Sequence, residues 1–265
     1  MSSLSVLQNW FADKGSVIIA LSGGVDSALV AYAAFKQLGS NAIAVTADYK
    51  TLSKEELETA NNICKEIGIS HFLLDYNELE NEDFVKNDSN RCFHCRIELG
   101  EHLQKFAHER QVKMIVDGTN LDDLGEYRPG IEALKQYGIR SPLVETKFSK
   151  SIVRHIAKSV GLSVHDKPSN SCLASRIPWG QRVTAEKLIR IEMGEIFVKQ
   201  ITHINHVRVR DIAGSAKIEV EKKHIPILNN LKNQLSEKLK LIGFTSVTID
   251  EQGYLPGKIN MSHNL

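Results

Sequence analysis

Six consecutive residues, Ser22-Gly-Gly-Val-Asp-Ser27, combine two glycines, two hydroxyls and a carboxylate directly after the apolar run Val17–Leu21. A buried strand that ends in such a turn and opens into a helix delivers several backbone N–H groups to one point, where they can cradle phosphate. The helix is supplied by 28–35, Ala-Leu-Val-Ala-Tyr-Ala-Ala-Phe. Neither the lysine-bearing phosphate loop of common ATPases nor the G-x-G-x-x-G dinucleotide fingerprint is present at this turn. A second loop with similar content is Asp117-Gly-Thr-Asn-Leu-Asp-Asp123. There Gly118 lets backbone approach a ligand closely, and the carboxylates can reach a metal. Tyr127-Arg-Pro-Gly130 offers Arg128 as an anion clamp or a plain helix start.

Metal, redox or sulfur chemistry is indicated by the cysteines, four in a chain of 265 residues. Cys172 lies in Pro168-Ser-Asn-Ser-Cys-Leu-Ala-Ser-Arg-Ile-Pro-Trp-Gly180, a proline-bounded loop in which Arg176 and hydroxyls such as Ser175 can stabilise an exposed thiolate. Cys92 and Cys95 form a C-x-x-C, which serves iron–sulfur clusters, zinc or dithiol redox; His94 or His102 would complete a zinc set. Cys64, inside Asn62-Ile-Cys-Lys-Glu-Ile67, reads as a buried structural residue.

These loops need a scaffold that brings them to one edge. Strand candidates at 17–21, 42–46, 71–74 and 114–117 alternate with helix candidates at 28–38, 54–67, 97–110 and 150–160. The alternation predicts an α/β domain with a parallel sheet covered on both faces, its ligands at the carboxyl ends of the strands. Ser53-Lys-Glu-Glu56 reads as a capping box at the start of the second of these helices. Beyond about residue 165 the period changes. Segments 206–210, 216–220 and 246–250 alternate as strands, a helix is expected at 184–199, and Ile225, Leu228, Leu231, Leu235, Leu239 and Ile242 recur at helical spacing. A first domain over 1–165 and a small α+β domain over 166–265 are expected, with 165–171 as linker. Arg208 and Arg210, two apart on one strand, share a face and can jointly hold a phosphate.

The 265 residues carry 33 Lys+Arg against 32 Asp+Glu, a net charge of +1, so bulk electrostatics recruits no nucleic acid. No secretory signal and no apolar run of membrane-spanning length is seen, so no membrane partner and a cytoplasmic location are expected. A homo-oligomer is expected as well.

The phosphate loop resembles the SGGxDS loop of the PP-loop ATP pyrophosphatases, of adenine-nucleotide α-hydrolase-like fold, which cleave ATP between the α and β phosphates and adenylate a substrate. That resemblance implies ATP and magnesium as cofactors, with Ser22, Gly23, Gly24, Ser27 and Gly118 at the nucleotide and Asp26 at the magnesium. Taken with DGTNLDD, YRPG, CLASRIPWG and the later VRVR and IEV, the chain resembles the LarE family nearly end to end. The family adenylates a carboxylate of pyridinium-3,5-biscarboxylic acid mononucleotide, a nicotinate-derived substrate, and converts it to the thiocarboxylic acid in building the nickel-pincer cofactor of lactate racemase. By the resemblance Cys172, Ser175 and Arg176 handle sulfur, while Arg208, Arg210, Glu219 and Arg128 bind substrate; Glu195 or Glu192 matches a further acidic residue. One type of the family sacrifices its single cysteine. The other holds a 4Fe-4S cluster, and here Cys92, Cys95 and Cys172 fit that three-cysteine pattern, with one iron open for a sulfide. Sulfide or a sulfur donor protein would then be a partner. The alternatives are a tRNA-thiolating relative and a non-catalytic iron–sulfur or zinc carrier.

Overall fold

The computed structural model describes residues 3–125 and 129–255. Along the chain run α1 (Ser3–Phe11), β1 (Val17–Ala20), α2 (Val25–Leu38), β2 (Ala42–Tyr49), α3 (Lys54–Ile67), β3 (Ser70–Tyr76), α4 (Glu82–Val85), α5 (Arg91–Glu109), β4 (Met114–Val116), α6 (Pro129–Gln136), α7 (Pro142–Glu145), α8 (Lys150–Ser159), α9 (Ala185–Thr202), β5 (Arg208–Ile212), β6 (Ser215–Glu219), α10 (Ile225–Asn230), α11 (Lys232–Leu241) and β7 (Val247–Ile249). They divide into two units, one of residues 1–78 and 92–170, the other of 79–91 and 171–265.

In the first unit the four strands form one parallel sheet in the order β3-β2-β1-β4. The α/β fold expected from the alternation is thus present. Successive side chains of a strand face opposite sides, and β1 uses both. Val17 and Ile19 enter a core with α1, α2, α3 and α8, while Ile18 enters another with Leu99, Leu103 and Phe106 of α5. Because β2 and β3 follow on one side of β1 and β4 on the other, the chain order reverses at β1. The crevice of such a sheet opens at the carboxyl end of that strand, where residues 22–27 lie.

The second unit is a small mixed sheet, order β5-β6-β7, in which β6 pairs antiparallel with β5 and parallel with β7. Ala213 and Gly214, both at positive φ (49° and 87°), close the β5–β6 hairpin. Helix α9 lies against β5 with Gly194 at the contact: a Cβ there would stand 3.4 Å from Val209 and 3.1 Å from Leu239. The apolar repeat over 225–242 forms two helices rather than one, because the chain breaks at Leu231. No helix among the described residues is long and apolar enough to cross a membrane.

Candidate active site

The phosphate loop is held open by its own hydroxyls and by close backbone packing. Ser27 Oγ donates to the Gly24 carbonyl (3.2 Å), accepts from the Ser22 N–H (3.2 Å) and lies 3.2 Å from Ser22 Oγ. Gly23 has φ 77°, and a Cβ on it would come within 2.9 Å of the Glu56 carbonyl oxygen. Both features require glycine. Gly118 is forced by packing alone, since a Cβ there would meet Ser27 N at 2.6 Å and Ser27 Cα at 2.8 Å. The two loops singled out in the sequence therefore touch, with the start of α2 between them.

Asp26, on the first turn of α2, accepts from Asn120 Nδ2 (3.2 Å) and forms an ion pair with Lys150 at the start of α8. Asp117, nearly sealed from solvent, has its carboxyl pushed up by burial, opposed by hydrogen bonds from Thr119 N–H (3.1 Å), Thr119 Oγ1 (2.7 Å) and Ser141 Oγ (2.7 Å). It shapes the loop, whose Asn120 N–H is in turn accepted by Asp123 (3.0 Å). Beside the loop a cleft opens at the ends of β1 and β2, lined by Leu21, Ser22, Thr46, Tyr49, Leu52 and Arg96. Thr46 Oγ1 donates to the Leu21 carbonyl (2.9 Å) and meets His71 Nε2 at 2.8 Å. Burial holds His71 below the usual imidazole range.

Behind the phosphate loop lies a clasp that sequence patterning did not indicate. The Ser53 hydroxyl accepts from the Glu56 N–H (3.3 Å), as a capping box requires. The Glu56 carboxylate turns instead to Lys167 Nζ (2.9 Å) and Asn170 Nδ2 (2.8 Å), and Lys167 Nζ also donates to the Gly23 carbonyl (3.2 Å). Tertiary partners outcompeted the local reciprocal bond. The turn-rich stretch around Pro168 is thereby tied to the phosphate loop. The sole sequence signal was a lysine ahead of a proline.

In the second unit the loop after Cys172 forms one 3-10 turn, Leu173–Arg176, that is organised from the inside. Arg176 is 1% exposed; its Nε and Nη2 donate to the two oxygens of Glu195 on α9 (2.8 and 3.1 Å). Nη1 donates to the carbonyls of Ser171 (2.6 Å) and Cys172 (3.1 Å) and to Ser175 Oγ (3.1 Å). Burial works against the charge on both partners, yet the pairing outweighs it: Glu195 is held below the carboxylate range and Arg176 above its own. Asn87, fully buried at φ 59°, donates to the carbonyls of Pro178 (2.8 Å) and Gln181 (2.7 Å), and Arg91 donates to the Ala174 carbonyl (2.9 Å). Neither Asn87 nor Arg91 carried a sequence signal, since both lie in an unpatterned polar stretch.

Arg208 and Arg210 do fall on one face of β5, their guanidinium carbons 5.5 and 6.0 Å from the Tyr254 ring centroid. Arg210 donates to Glu219 (2.8 and 2.9 Å) and to the Ser175 carbonyl (2.9 Å). Arg208 is pulled down by burial and by the like charge of Arg176. Cys172 is half-buried; Cys92, exposed, and Cys95, half-buried, lie one turn apart at the start of α5 in the first unit. Burial pushes the Cys64 thiol up to about 12. No group of three metal-ligating side chains converges among the described residues. Arg128 lies outside the described residues.

The family "Queuosine biosynthesis protein QueC" matches residues 16–121, the stretch that builds the parallel sheet and phosphate loop. Over 261 residues the chain is 42% identical to an uncharacterised protein of Synechocystis, covering 98% of this chain and 97% of the other. An uncharacterised protein of Methanocaldococcus jannaschii is 31% identical over 94% of both chains. The pyridinium-3,5-bisthiocarboxylic acid mononucleotide synthase of Lactiplantibacillus plantarum is 29% identical over 252 residues, 94% of this chain and 90% of that one. The chain belongs to the LarE family. It is an ATP-dependent sulfurtransferase built on a PP-loop domain. The LarE likeness runs through both units, beyond the segment that the QueC family matches.

Proposed function

We propose that this LarE-family enzyme adenylates a carboxylate of a pyridinium dicarboxylate mononucleotide and replaces one of its oxygens by sulfur. The observation that carries the reading is the alignment with the synthase over nearly the whole chain, phosphate loop and Cys172 loop included. In the first half-reaction a substrate carboxylate oxygen attacks the α-phosphorus of ATP and pyrophosphate leaves. Ser22, Gly23, Gly24 and Ser27 are the groups to hold that pyrophosphate, with Gly118 packed against them, and the cleft beside Leu21, Thr46 and Tyr49 is the candidate place for the adenosine. Asp26 would hold the magnesium, which neutralises phosphate charge when bound; the cationic ammonium already paired with this carboxylate supports that use.

In the second half-reaction a sulfur nucleophile attacks the acyl carbon and AMP leaves with the substrate oxygen. Arg208 and Arg210 are the candidates for the substrate phosphate, with Glu219 orienting Arg210. Arg176 and Ser175 hold the backbone from which Cys172 projects. The thiols of Cys92 and Cys95, one turn apart on α5 and exposed or half-buried, are the candidates to hold an iron–sulfur cluster. Such a cluster supplies a sulfide when bound.

Pyrophosphate release tests the substrate. The pyridinium dicarboxylate mononucleotide should stimulate release from MgATP, whereas unmodified tRNA should not. Stimulation by tRNA alone would replace this reading with tRNA thiolation.

A further inference from the structure

The phosphate loop contains no lysine, yet two lysines remote in sequence stand against it. Lys167 Nζ reaches the Gly23 carbonyl and the Glu56 carboxylate, and Lys150 Nζ pairs with Asp26. An ammonium carries three N–H donors. Among the described residues Lys167 therefore keeps one donor uncommitted and Lys150 keeps two. Both side chains remain partly open to solvent, 19% and 28% exposed. Lysines that merely balanced a carboxylate would have no reason to flank the same six residues, one at the Gly23 carbonyl and the other at Asp26.

We propose that Lys150 and Lys167 are the phosphate-binding cations of the nucleotide site, supplying from outside the loop the charge that common ATPases place within it. Their ligand is the pyrophosphate portion of a nucleoside triphosphate. The assignment rests on the reading that ATP binds at residues 22–27. Lys150 also neutralises Asp26 until a divalent cation competes for that carboxylate, and its donors then pass to phosphate oxygens. Lys167, fixed by Glu56 and Gly23, is already in place and needs no such exchange.

Titration calorimetry on the full chain, with magnesium pyrophosphate and AMP as separate probes, tests this. Lys150→Met and Lys167→Met should each weaken pyrophosphate binding by about 10–100-fold, the range for one charge-assisted hydrogen bond. AMP binding should be unchanged. Since Lys167→Met also strands the Glu56 carboxylate, the double variant Glu56→Gln/Lys167→Met separates the two roles. If the double variant still binds pyrophosphate weakly, the cationic role stands; recovery to the parent's affinity would make Lys167 a mere counter-charge and overturn it. Unchanged pyrophosphate affinity in the single variants would also overturn the proposal. Failure of the parent to bind either probe would remove the nucleotide reading itself.

Discussion

Replacing Glu195 by alanine probes the internal framework of the Cys172 loop. The Glu195 carboxylate accepts two hydrogen bonds from Arg176 and one from the Val209 N–H (3.1 Å), and it is 6% exposed. Its loss leaves a guanidinium that is 1% exposed without its carboxylate and a buried strand amide without its acceptor. Breaking a buried ion pair from one side costs about 3–5 kcal/mol. At about 2–4 °C per kcal/mol for a chain of this size, melting should fall by roughly 6–20 °C. Circular dichroism melts and urea titrations measure it, the urea slope serving to show that the unfolding transition is unchanged in extent. Arg176→Met/Glu195→Leu, which removes both charges, should cost less than Glu195→Ala alone. The pH dependence has a definite sign. The Glu195 carboxyl is depressed below its ordinary 4.5, so its stabilisation is present above that pH and is lost as the pH falls through the folded value. The parent's advantage over Glu195→Gln should therefore shrink below pH 4.5. A Glu195→Ala variant that melts within the equivalent of about 1 kcal/mol of the parent would show that the Arg176–Glu195 pair does not hold this loop.

Three further outcomes are expected. Asp26→Ala should abolish ATP-dependent pyrophosphate release with little change in melting, because Asp26 is a partly exposed carboxylate at the open end of the sheet; release at the parent's rate would remove it from the site. Gly118→Ala forces a methyl to within 2.6 Å of the Ser27 nitrogen, so it should cost about 1–3 kcal/mol and weaken ATP binding at least as much as it slows turnover, read from urea titration and nucleotide affinity. Iodoacetamide at pH 8 should alkylate Cys92, Cys95 and Cys172 in metal-free protein and spare Cys64, whose thiol is buried and pushed up to about 12; mass spectrometry showing Cys64 modified at a comparable rate would contradict its structural role.

The sheet was legible because alternating apolar runs and amphipathic stretches leave a period in the sequence, and the phosphate loop because no unliganded turn needs two hydroxyls and a carboxylate around paired glycines. The start of α5 was not. Its first turn, Arg91-Cys-Phe-His-Cys95, lacks an apolar stripe, so the periodic signal began only at Ile97 and the C-x-x-C was read outside the helix. The partners within the site leave no local pattern, for a different reason. Arg176 and Glu195 are 19 residues apart with a helix start between them, and Lys150 and Lys167 meet the phosphate loop across more than a hundred residues. A lone lysine on a helix or in a turn looks like a solvated surface residue until the fold closes around it. Arg208 and Arg210 were placed on one face by strand periodicity alone, but their burial, and the Glu219 that orients Arg210, depend on the β5–β6 register.

In the proposed reaction a substrate carboxylate is adenylated and then exchanges oxygen for sulfur. It is tested most directly by supplying the pyridinium dicarboxylate mononucleotide with its carboxylates labelled in oxygen-18, together with MgATP and sulfide, to anaerobically purified protein. Mass spectrometry should find one labelled oxygen in the AMP phosphate for each sulfur gained by the product. Unlabelled AMP, or sulfur incorporation without AMP formation, would exclude adenylation of the carboxylate.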